Sequence, residues 1–76
     1  MKPFIPAPIP QHVHPLIRQL FEEMNRQQVS MARMGDVTGI DRATIKNWKH
    51  RHEPKVSNLD ACLSALGYKL TLERLG

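Results

Sequence analysis

From Pro15 onward, apolar residues return every three or four positions: Leu16, Ile17, Leu20, Phe21 and Met24, separated by Arg18, Gln19, Glu22, Glu23 and Arg26. That spacing predicts an amphipathic helix with Pro15 at its first position, where a missing N–H costs nothing, and an end near Gln27 or Gln28. A second helix is expected behind Ser30, a good N-cap, with Met31, Met34 and Val37 or Thr38 on one face. It stops at Gly39, the residue most tolerant of the left-handed backbone that ends helices. Asp41 offers another cap only two residues later and opens a third helix, Arg42 to Lys49, in which Ile45 and Trp48 share a face. Ser57 to Asp60 reads as a capping box, with Ser57 as the cap and Asp60 in the first turn. Leu59, Cys62, Leu63 and Leu66 continue that helix as a stripe ended by Gly67. The tail then changes period: Tyr68, Leu70 and Leu72 alternate with Lys69, Thr71 and Glu73, the pattern of a half-buried strand. With no second strand evident, it must pair with another copy or lie on the domain as an extended tail.

Residues 1–13 carry Pro3, Pro6, Pro8 and Pro10 and read as an extended, flexible arm outside the core. Those prolines break the helical apolar core a signal peptide needs, and no run approaches the roughly 18 apolar residues that span a bilayer. A soluble, cytoplasmic and nucleoid-associated chain is therefore expected, with no membrane partner. At 76 residues the chain makes one small domain with a single modest core, too short for an enzyme with a cleft between lobes. A single cysteine, Cys62, excludes an internal disulfide and is placed on a helix stripe as a buried structural thiol.

Charge sharpens the picture by where it lies. The formal net charge is +4, and between Arg42 and Lys55 five cations face Glu53 alone, a surplus equal to that of the whole chain. A basic helix face is ordinarily only solvated. Inside two helices joined by a short turn containing Gly, with no acid between Arg42 and His52, contact with a polyanion is the better reading.

The spacing within Ser30 to His50 carries the rest. Two steeply crossing helices leave no room for a large side chain at their contact, and Gly35 occupies that place. The tight reversal four positions on wants Gly39. Ile40, Ile45 and Trp48 then close the core. In this ordered set, Gly35, Gly39, Ile40, Asp41, Ile45, Trp48, Pro54, Leu59, Leu63 and Leu66-Gly67, the chain resembles the lambda-repressor-like helix-turn-helix proteins of the Cro/Xre type over about residues 15 to 70. Three positions depart from the family's pattern. Met31 stands where Gln often contacts a phosphate, so that role is not carried over; Gly35 replaces the commoner Ala, and Thr38 a larger apolar residue.

The resemblance implies an all-α, compact four-helix domain at 14–67, with its motif at 30–50 and its recognition helix at 42–49, between the arm at 1–13 and a short strand or tail at 68–76. In such motifs the second helix enters the major groove and its outward N-terminal residues touch base edges. With Ile45 and Trp48 inward, the base-reading candidates are Arg42, Ala43, Lys46 and Asn47. Thr44, Lys49, His50, Arg51, His52 and Lys55 are expected to hold phosphates. Tyr68, Leu70 and Leu72 are the candidate dimerisation surface.

The implied function is a sequence-specific double-stranded DNA-binding transcriptional regulator, a dimeric repressor on an inverted repeat, similar to phage or prokaryotic regulators and antitoxins. Two alternatives stay open. One is an antitoxin or adaptor whose main partner is a protein, a toxin or polymerase; the other is an architectural protein that coats DNA without preference. No nucleophile motif or glycine-rich phosphate loop is present, so neither an enzyme nor a cofactor is expected. His12 and His14, and likewise His50 and His52, are one residue apart, but without Cys or acids at ligand spacing no metal site is expected.

Overall fold

The computed structural model describes residues 3–50 and 52–76. Among these the chain is all-helical, with α1 (Pro15–Arg26), α2 (Met31–Thr38), α3 (Arg42–Asn47) and α4 (Val56–Ala65). Each expected helix is present, and most of the expected punctuation with it. Pro15 opens α1; the Ser30 hydroxyl accepts from the Arg33 N–H at 3.1 Å; the Asp41 carboxylate accepts from the Ala43 N–H at 2.7 Å. Gly39 closes α2 with φ 77°.

One core joins the helices. Ile17, Leu20, Phe21 and Met24 of α1 meet Met34 of α2, Ile45 and Trp48 of α3 and its exit, and Leu59, Cys62, Leu63 and Leu66 of α4, all buried. At roughly 1.5 to 3 kcal/mol for each large apolar side chain removed from water, this cluster is the main favourable contribution to folding. Among the described residues no buried side-chain nitrogen or oxygen lacks a hydrogen-bond partner.

Several expectations are corrected. The helix of residues 56 to 65 starts one residue ahead of Ser57: Lys55 is its N-cap, without a side-chain bond, and Asp60 lies beyond the first turn. The Leu59 N–H pairs with the Lys55 carbonyl at 2.9 Å, so a further stretch of helical backbone bonding replaces the serine cap. The third helix ends at Asn47 and not at Lys49. From Trp48 to His50 the N–H groups bond three residues back, to Ile45, Lys46 and Asn47, which tightens the chain into turns. Val37 is 51% exposed, leaving Met34 as the buried residue of α2.

The tail from Tyr68 forms no strand, with Leu70 against the core and Leu72 and Leu75 in solvent. The described part of the arm, residues 3–13, forms no helix or strand, yet it does not stand outside the core. Ile9 and Val13 pack against the buried cluster, and Ala7 is hydrogen-bonded to Asn25. Proline-rich backbone cannot supply its own ladder of bonds, so side chains of the domain hold it. No helix among the described residues is long and apolar enough to cross a membrane.

Candidate nucleic-acid interface

The site is built where α2 meets α3. A Cβ at Gly35 would lie 2.8 Å from the Ile40 carbonyl oxygen, a backbone atom that cannot turn aside. The bare Cα of Gly35 is therefore what lets the chain leaving α2 fold back on it. Thr38, unremarkable by hydropathy, ties the same turn: its hydroxyl donates to the Met34 carbonyl at 2.7 Å and accepts from the Ile40 N–H at 3.2 Å. Gly39 donates its N–H to the Gly35 carbonyl at 2.8 Å and takes the left-handed backbone.

These bonds deliver α3 with a fixed roll. Ile45 is 0% and Trp48 3% exposed, both in the core. The flank opposite, Arg42, Ala43, Lys46 and Asn47, is exposed, and so is Thr44. The four residues expected to read bases thus share one open helix flank. That follows from helical spacing once Ile45 and Trp48 are anchored.

The expected phosphate contacts are placed less uniformly. His50, His52 and Lys55 are exposed on the connection between α3 and α4, and Arg51 lies outside the described residues. Lys49 is half-buried, with its Nζ 5.1 Å from the centroid of the Phe21 ring. Burial, with a smaller contribution from neighbouring Lys46, holds its ammonium below the usual lysine range. The tightened turn after Asn47 swings this side chain onto the core edge, where its charge meets the ring face.

His12, His14, His50, His52 and Glu53 come to the walls of one cleft of about 190 Å³, over Ile17 and Trp48. Among the described residues no three His, Cys, Asp or Glu are grouped to hold a metal ion. His14 has a structural task that its spacing did not reveal: its Nδ1 accepts from the Leu16 N–H at 3.1 Å and caps α1. Burial pushes the Cys62 thiol up to about 11, so it stays protonated and unreactive inside the core.

Neither protein-family models nor curated proteins nor solved structures give a match for the chain. The functional reading therefore rests on the residues themselves.

In the tail, Tyr68 is 47% and Leu72 99% exposed, while Leu70 is partly buried. With Leu16, Leu63 and Lys69, Tyr68 and Leu70 line a groove of about 430 Å³ between the tail, α1 and α4. Sequence reasoning missed Asn25 and Gln27. The Gln27 amide donates to the Leu66 carbonyl at 2.9 Å and ties the end of α1 to the end of α4. Neither residue carries a local signal, because each partner is a backbone group distant in the chain.

Proposed function

We propose that this chain is a helix-turn-helix regulator that binds double-stranded DNA by sequence, with α2 and α3 as the motif and α3 as the reading helix. The observation that carries this reading is the roll of α3: Ile45 and Trp48 are fixed in the core, and Arg42, Ala43, Lys46 and Asn47 are left together on an exposed flank. An α-helix of this width fits the major groove of B-form DNA. Arginine or lysine can grip the O6 and N7 of guanine, asparagine the edge of adenine, and the alanine methyl can meet a thymine methyl. His50, His52 and Lys55 follow on the connection, where phosphates would set register without reading sequence. Lys49 is a weaker phosphate contact than its position in the chain implies, since its ammonium lies over Phe21.

One short reading helix selects few base pairs, and doubling by a two-fold axis, with half-sites about 34 Å apart, supplies the rest. The tail supports such a pairing through Tyr68 and Leu72, which are exposed, while Leu70 packs against the chain's own core. Occupying a promoter as a dimer would make the protein a repressor, working in the compartment where the DNA is.

Selection of bound duplexes from a random pool tests the reading. The expected result is an inverted repeat, in which Arg42→Ala relaxes one position of each half-site at a cost of about 1–3 kcal/mol. Lys55→Ala should weaken all duplexes alike and lower the salt slope by about 0.9. If scrambled DNA competes as well as selected DNA, the regulator gives way to an architectural binder. A second reading, an antitoxin or adaptor whose main partner is a protein, is favoured by the groove beside Tyr68 and by Leu72 and Leu75, 99% and 97% exposed. Isolation with a stoichiometric protein partner, and no duplex selected, would decide for it.

A further inference from the structure

Asn25 sits on the half-buried edge of α1 and takes both backbone groups of Ala7. Its Oδ1 accepts from the Ala7 N–H at 3.1 Å, and its Nδ2 donates to the Ala7 carbonyl at 2.8 Å. Ala7 stands between Pro6 and Pro8, neither of which has an N–H, so the clamp grips the one backbone donor in that stretch. The prolines restrict the arm's backbone, and the amide then fixes where it lies. Beyond the clamp, Phe4 and Ile5 form part of a cleft of about 270 Å³ whose other side includes Met31 and Arg42. Arg42 is the first residue of α3, exposed, with a long side chain whose direction the core does not set.

We propose that Asn25 is a positioning residue for Arg42: by clamping Ala7 it holds Phe4 and Ile5 beside the leading end of α3 and narrows the directions in which the guanidinium can reach. The inference rests on the reading that Arg42 contacts a base, and adds that the choice of base depends on a residue of α1 that touches no DNA. A flexible side chain that enters a contact already confined loses less freedom on binding, and discriminates better, than one that must be ordered by the contact itself. Nothing else about α1 requires an amide at position 25, since the core residues of α1 are Ile17, Leu20, Phe21 and Met24.

The experiment uses the full chain and four variants: Asn25→Leu, Asn25→Asp, a Phe4→Ala/Ile5→Ala double variant and Arg42→Ala. Hydrogen exchange of the Ala7 amide reads the clamp without DNA, and selection from a random duplex pool reads base choice. Asn25→Leu should expose the Ala7 amide to rapid exchange and lower preference by roughly five-fold at the one position that Arg42→Ala erases, the others holding. Asn25→Asp keeps the acceptor for the Ala7 N–H but sets a carboxylate oxygen where the amide donated to the Ala7 carbonyl at 2.8 Å, and should shift both readouts in the direction of Asn25→Leu. The double variant removes the wall with the clamp in place and should relax the same position. Unchanged preference in Asn25→Leu once Ala7 exchanges freely overturns the proposal, as does an equal loss at every position, the mark of general destabilisation. If the wild-type chain selects no sequence, the regulator reading falls and this one with it; failure confined to the Asn25 and arm variants leaves the regulator reading standing.

Discussion

Gln28 holds φ 59°, the only positive φ among the described residues that are not glycine. It is the left-handed link of the turn that ends α1: the Val29 N–H reaches back to the Met24 carbonyl at 2.8 Å and the Gln28 N–H to the Asn25 carbonyl at 3.1 Å, satisfying carbonyls the helix leaves open. A side chain in that backbone region costs about 1–2 kcal/mol. Gln28→Gly should recover part of it, because glycine also frees the unfolded chain; a net gain of about 0.5–1 kcal/mol is expected, measured by denaturant unfolding. Glu23 gives a pH signature. The Arg26 guanidinium beside it, 2.7 Å away, and the Gln27 amide hold its carboxyl at about 2, below the usual 4.5. A depressed carboxyl contributes stability that is present above pH 4.5 and lost as pH falls through about 2. The difference in unfolding midpoint between wild type and Glu23→Gln should shrink across that window and be steady above it. Residues whose role is local, such as Ser30, Asp41 and Gly39, were legible in the sequence because a cap needs only its own turn. Asn25 was not, because its partner lies 18 residues away.

At the scale of elements, periodicity located α1 and α4, which bury stripes that the sequence displays, while Ser30, Gly39 and Asp41 marked α2 and α3, each with one fully buried residue. Their ends were legible only where a side chain enforces them. The Ser57 cap failed because the backbone bonding begins two residues earlier, at Lys55, and α3 lost its last turn because bonding shifted to three residues back after Asn47. The crossing of α2 and α3 offers a sharp test. Gly35→Ala would add about 1 kcal/mol of helix propensity, yet its methyl would meet the Ile40 carbonyl at 2.8 Å. Overpacking of this kind costs typically ~1–3 kcal/mol, so the steric cost should win. The expected outcome is a lowered melting temperature together with an altered tilt of α3, read by the emission of Trp48 at its exit. A variant more stable than wild type would show that the turn yields.

For the whole molecule, the expected arm, helical body and tail were readable as composition shifts, but how the arm lies was not. Proline content announces extended backbone and is silent on what it leans against; Ile9 and Val13 found the core, and Ala7 found Asn25. The tail differs: Leu72 and Leu75 lie almost wholly in solvent. Leu72→Glu with Leu75→Glu should leave monomer stability within about 0.5 kcal/mol, as surface changes do, while sedimentation shows any self-association lost. Retained association would move the contact to another face.

The chain's single indole belongs to Trp48, sealed at the junction where the third helix hands over to its turns. Its intrinsic emission is consequently a built-in gauge of how that junction sits in the core, needing no attached dye. Any ligand, temperature or substitution that unseats the third helix from the core should shift its wavelength toward the red, and one that leaves the helix seated should not.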